Sequence, residues 1–158
     1  MYQLSYFQKL ERKLSPQEVS AQAPNNNVDW IVYHVPKTAG SSLRQSFVDA
    51  LGQRKVFGVY RNTGAAELGL GNPIWVPRSA KVVFGHFPTH VAQMKMFPNA
   101  QKVTWVRDPL ERAWSSLGHY LATKDENAQY AFVKNHYLDK GITKKADIFE
   151  RMIKENAL

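Results

Sequence analysis

The sequence predicts an α/β fold with a central parallel sheet flanked by helices, in a small version. Three observations carry that prediction. Short apolar runs rich in β-branched and aromatic residues recur along the chain as "WIVYHV", "AKVVFGHF" and "AQKVTWVRDP". Segments with helical spacing alternate with these runs, as a parallel sheet requires. Each run is also followed by a stretch dense in polar groups, and α/β sheets bind ligands beyond the carboxyl ends of their strands.

In chain order, residues 1–27 read as an N-terminal extension or linker, and residues 28–158 as the α/β domain. "YFQKLERKL" suits a short helix, whereas "SPQEVSAQAPNNN" is polar and rich in breakers. "WIVYHV" is the first buried strand. "SSLRQSFVDALG" follows as a helix with Leu43, Phe47, Ala50 and Leu51 on one face and Gly52 as its stop. Residues 52–80 hold five glycines and two prolines without a clear period, the texture of a functional loop or lid. Phe57, Tyr60, Ile74 and Trp75 imply that part of it packs. After the two later strands, "PLERAWSSLGHYLA" places Leu110, Trp114, Leu117 and Leu121 on one helical face. Two further helices are expected near 126–139 and 144–157, separated by Gly141.

Composition narrows the partners. The 158 residues are 44% hydrophobic and carry a formal charge of +8, an excess that draws anions. No apolar stretch has the length of a membrane span. The N-terminus lacks an apolar signal core and the chain has no cysteine, so the cytoplasm is the simplest expected location. No block of five like charges occurs, and the aromatic-rich "AWSSLGHY" reads as a core-facing helix, so a nucleic-acid partner is not expected.

Three stretches carry chemistry. In "PKTAGSS", helix N-terminal N–H groups, Gly40, the hydroxyls of Ser41 and Ser42 and the mobile cation of Lys37 suit a phosphate. A Walker A loop would read G-x-x-x-x-G-K-[ST]; here the lysine precedes a single glycine, which argues against an ordinary triphosphate-hydrolysing loop. In "RDPLERAWSS", Arg107 at a strand end and Ser115 eight residues later suit a second phosphate, with Arg112 between them. A surface salt-bridge cluster is the competing reading of that stretch. In "GHFP", His86 stands at a strand end. His86 and His90 have i, i+4 spacing, but Pro88 spoils a helix between them and no zinc motif occurs, so no metal is expected. His34 reads as packing or hydrogen-bonding near the first loop.

"PKTAGSS" after one strand and "RDPLERAWS" after a later one resemble the two signatures of sulfotransferases that use 3′-phosphoadenosine-5′-phosphosulfate (PAPS). "HVPKTAG" looks closer to carbohydrate-type and bacterial members than to the cytosolic small-molecule enzymes. The match covers residues 28–120. It implies a three-layer P-loop-like fold and an enzyme that moves a sulfuryl group from PAPS to an acceptor hydroxyl, of a carbohydrate or a small molecule, leaving the desulfated bisphosphate (PAP). It further implies that Lys37 contacts the bridging and leaving oxygens while Thr38, Ala39, Gly40, Ser41 and Ser42 hold the 5′-phosphate. Arg107 and Ser115 would bind the 3′-phosphate, Arg112 the same anion or the loop itself, and His86 would be the base. The chain is short for this family and shows no closing C-terminal loop, so a second subunit, hence a homo-oligomer, is one way to complete the site. The competing expectations are a non-catalytic anion- or nucleotide-binding module and an atypical kinase-like phosphotransferase.

Overall fold

The computed structural model describes residues 2–14, 24–124 and 128–157. Most of the breaker-rich linker, residues 15–23, and the start of the helix expected from 126 lie outside the described residues. The chain forms two compact units, Met1–Val106 and Arg107–Leu158.

The first unit is an α/β layer structure. Its described elements are α1 (Tyr6–Leu14), β1 (Trp30–His34), α2 (Gly40–Leu51), β2 (Val56–Val59), α3 (Ala65–Gly69), β3 (Val82–Gly85), α4 (Ala92–Met96) and β4 (Gln101–Trp105). The four strands make one all-parallel sheet in the order β2-β3-β1-β4. Ile31 aligns with Val83 and Lys102, and Val59 with Gly85. Alternate residues feed two cores, as the strand period of two demands. Ile31, Tyr33, Phe57, Val59 and Val83 pack on one face with Ala65, Leu68 and Phe97. Val32, Val56, Val82 and Phe84 pack on the other against Leu43, Phe47, Val48 and Leu51 of α2. Val48 takes the place expected of Ala50, which is exposed.

Two features depart from the sequence pattern. The expected loop of residues 52–80 contains β2, whose four residues all are buried. Interrupted by Gly58 and set between charged residues, its apolar run does not stand out from the glycine-rich stretch around it. Residues 2–14 also pack on β2. The Gln8 amide is fully buried and donates to the carbonyls of Arg54 and Val56, both at 3.2 Å, covering backbone groups that an edge strand leaves open.

The strand order creates the site. The chain leaves β1 for β2, skipping one place, and leaves β3 for β4 in the opposite direction, skipping β1. Adjacent strands that diverge in this way open a crevice at their carboxyl ends, and here those ends carry His34 and His86.

The second unit is helical: α5 (Pro109–Thr123), α6 (Ala128–His136) and α7 (Lys145–Lys154). Leu117, Val133, Tyr137 and Ile148 form its core. Of the expected α5 face, Leu117 is buried and Leu121 packs beside it, whereas Leu110 is exposed. Trp114 lies edge-on to Phe149, and the Lys145 ammonium sits 3.7 Å above its ring centre. Gly141 adopts the left-handed conformation that ends the turn before α7. Among the described residues, no helix is long and apolar enough to cross a membrane.

Candidate functional site

The loop between β1 and α2 is shaped by its backbone. Lys37 and Ala39 both have left-handed φ, 68° and 60°. Such kinks fold successive N–H groups toward a common concavity, the usual geometry for holding an anion. The Thr38 side chain is buried and its hydroxyl donates to the Val35 carbonyl at 2.7 Å, bracing the turn from within. Ala39 is the N-cap of α2 and supplies no side-chain hydrogen bond. The first-turn N–H groups, from Gly40 to Ser42, therefore begin the helix without a cap oxygen, and the helix dipole adds positive potential at the same point. Ser41 and Ser42 are exposed there.

Gly40 is buried for a local reason. A β-carbon on it would lie 1.8 Å from His34 Nε2, so only glycine lets the helix start this close to the imidazole. His34 Nδ1 lies 2.5 Å from His86 Nε2, a hydrogen bond between two rings whose centres are 4.5 Å apart. The remaining nitrogen, His34 Nε2, is buried without a partner among the described residues. Burial, and then the charge of His86, push the His34 pKa down to about 4. This ring stays neutral at ordinary pH.

His86 is held by the end of the sheet. Its N–H donates to the Val59 carbonyl at 3.0 Å. The preceding Gly85 lies so close to the same oxygen that a β-carbon would be 1.7 Å away. His86 is exposed overall, yet the rings of His34 and Tyr60 crowd its imidazole, and that desolvation lowers its pKa below the ordinary value. The following loop is fixed from beneath. Buried Gln93 donates to the carbonyls of Leu68 at 2.8 Å and Pro88 at 2.9 Å, and accepts from the Tyr33 hydroxyl at 2.7 Å.

An open cleft of about 1240 Å3 adjoins this pair, lined by Tyr2, Ser41, Arg44, Tyr60, Arg61 and His86 among others. Tyr2 stacks on Tyr60 with ring centres 5.7 Å apart, and the Arg44 guanidinium lies 5.0 Å from the Tyr2 ring centre. Burial raises the Tyr60 pKa, against the pull of Arg44. Tyr2, Arg44 and Tyr60 carry no motif of their own; they meet because β2 pairs with β3 and residues 2–14 pack on β2.

The fold thus joins the Gly40 end of the first loop to His34 and His86, and places Ser41 and His86 on one cleft. Arg107, Arg112 and Ser115 belong to the second unit. There Asp108 caps α5 by accepting the Glu111 N–H at 3.0 Å, with Pro109 in the first turn. Arg107 Nε pairs with Glu111 at 2.9 Å, while the Arg112 N–H donates to the Asp108 carbonyl at 2.9 Å. Ser115 is half-buried, and Arg107 and Arg112 are exposed. His90 Nδ1 accepts from the Ala92 N–H at 3.1 Å. Comparisons of the chain with family models, curated proteins and solved structures return no significant match.

Proposed function

We propose that this chain is a PAPS-dependent sulfotransferase of P-loop-like three-layer fold that sulfates an acceptor hydroxyl. The observation that carries the reading is the histidine pair at the sheet's switch point, beside a helix N-terminus that no side chain caps. A base and an anion cradle built from adjoining residues suit transfer of a charged group to a weak nucleophile.

The open N–H groups of α2 and the Ser41 and Ser42 hydroxyls hold the 5′-phosphate. Thr38 and Ala39 contribute backbone, since the Thr38 hydroxyl is bound to Val35. Lys37 offsets charge on the bridging and leaving oxygens. Arg107 and Ser115 are assigned the 3′-phosphate on the resemblance, and Arg112 the same anion or the loop itself. A sulfuryl group carries less negative charge than a phosphoryl group, so one lysine and oriented N–H donors serve where kinases use magnesium.

In the transfer, the acceptor oxygen attacks sulfur in line. The new O–S bond forms as the S–O bond to the 5′-phosphate breaks, and that phosphate keeps the electron pair. The hydroxyl proton passes to His86. Because His86 Nε2 is bonded to His34, the nitrogen that receives the proton is Nδ1. Nε2 then carries a hydrogen and donates it to Nδ1 of His34, which the low His34 pKa keeps neutral and able to accept. His34 is thus a positioning residue that fixes the tautomer of the base.

The test is transfer from PAPS to a panel of hydroxyl acceptors, followed by mass spectrometry. His86→Ala is expected to lower turnover by about 10²–10⁴-fold while affinity for PAP persists. Turnover equal to wild type in that variant removes His86 from the mechanism.

A further inference from the structure

We infer that α1 binds an anionic membrane surface, laying Tyr6, Phe7, Leu10 and Leu14 into the lipid interface while neighbouring lysine and arginine side chains meet the headgroups. The inference is independent of the transfer chemistry proposed above.

α1 is docked with its polar side inward. Its sequence, YFQKLERKL, divides cleanly around the helix. At about 100° per residue, Tyr6, Leu10, Leu14 and Phe7 fall within one arc, and Gln8, Glu11 and Arg12 lie opposite. A surface helix ordinarily turns the apolar set toward the core. Here the polar set holds the protein. Gln8 is fully buried and bonded to the edge of β2. Glu11, the only acidic residue of the helix, accepts from the Arg78 N–H and from the Ser79 hydroxyl. The Arg12 guanidinium lies 5.6 Å from the Trp75 ring centre. The apolar set is left in solvent, with Tyr6 75%, Phe7 57%, Leu10 42% and Leu14 76% exposed.

The charges around this stripe select its occupant. Lys9 and Lys13 are exposed along one flank. The Arg54 guanidinium lies 5.7 Å from the ring centre of Phe7, the residue at the other edge. Phenylalanine and leucine bordered by cations are the pattern of a helix lying in a membrane interface, where tyrosine sits at headgroup level. Cations beside such a helix are drawn to the negative potential of anionic lipid. A second copy suits the stripe poorly, because two stripes in contact bring two sets of cations together. Four side chains also fall short of the roughly 20–30 residues a side that a stable protein interface engages. Residues 15–23, next in the chain, include one large apolar residue, Val19, which is too little to cover four.

Co-sedimentation of the full chain with vesicles tests this, using phosphatidylcholine alone and phosphatidylcholine mixed with phosphatidylserine. The mixed vesicles are expected to bind about tenfold more tightly. Phe7→Gln combined with Leu10→Gln should weaken that binding about tenfold, and so should Lys9→Glu combined with Lys13→Glu. All four positions are exposed, so the fold should tolerate both pairs, and either pair decides if the other fails to fold. Lys134→Glu with Lys140→Glu makes the same change in charge at exposed positions of the second unit and should leave binding intact. The inference is overturned if mixed vesicles do not bind, if both kinds bind equally, if neither α1 pair weakens binding, or if the second-unit pair weakens it as much. It is also overturned if Phe7→Gln with Leu10→Gln dissolves a dimer seen by light scattering, or abolishes retention on polyglutamate, since the stripe then serves a second copy or an acidic protein. None of these measurements involves PAPS or PAP, so failure here leaves the nucleotide reading to its own test.

Discussion

The N-termini of α2 and α5 differ in what meets their free N–H groups. At α5, Asp108 caps the helix, Pro109 occupies the first turn, and Glu111 adds a second carboxylate that holds Arg107. At α2, the cap is a left-handed alanine without a bonding side chain, and no acidic residue stands in the first turn. The first end is complete in itself and carries negative charge against the helix dipole. The second is left open where a dipole, two serines and a lysine favour an anion. One sequence pattern, a cation followed eight residues or fewer later by a serine, therefore produces a self-contained helix start in one place and a ligand-ready one in the other. In α5 any phosphate must be taken by arginine side chains rather than by the helix end itself.

Substitutions can break that contrast or sharpen it. Among substitutions at the two helix starts, the largest effect is expected for Lys37→Ala, which should cost about 10²–10³-fold in transfer rate and weaken PAP binding, read by kinetics beside calorimetry. Arg107→Ala should weaken PAP binding with a smaller change in turnover. Next in size is the cap itself. Asp108→Ala should destabilise the chain by ~1 kcal/mol in urea unfolding, whereas Ala39→Gly relieves a left-handed alanine and should stabilise it by ~0.5–1 kcal/mol. Acidification probes the α2 side. His34 and His86 bind fewer protons folded than unfolded, because both pKa values are depressed. Their neutral pairing is retained above the ordinary value of 6.5 and opposed as pH falls toward about 4, so Tm should drop across that window. His34→Asn should flatten the drop, and an unchanged slope would detach the pair from it. The smallest effect is expected for Glu111→Gln, which releases Arg107 and should raise PAP affinity about twofold, in keeping with the modest worth of an exposed ion pair.

Much of the α/β plan was legible because Trp30–His34 and Val82–Gly85 lie in conspicuous apolar runs and α2 is long enough to display a helical face. β2, as short as Val82–Gly85, is interrupted by Gly58 inside a glycine-rich stretch and does not stand out, and α3 and α4 have five residues each. Helices and strands that short are set by tertiary packing rather than by local pattern. His86 could be picked out because it follows a recognisable strand. Its partner His34 was expected only to pack or bond near the loop, and the reason for Gly40 looked like ligand approach; the imidazole that fills the space beside Gly40 joins the two observations. Tyr2, Arg44 and Tyr60 had no such signal. Their meeting depends on β2 lying next to β3, a pairing between residues far apart in the chain, and on Gln8 anchoring the N-terminal segment to the edge of β2. Gln93, which secures the loop after His86, shows nothing in the sequence that marks it as buried.

On the proposed function, the open end of α2 takes a phosphosulfate donor and not a magnesium-bound nucleoside triphosphate. Calorimetry of wild-type protein with PAP and with ADP, each with and without magnesium, separates the two. PAP is expected to bind clearly and ADP more weakly, with no gain from magnesium in either case. Equal affinity for the two nucleotides, or binding that appears only with magnesium, would contradict it.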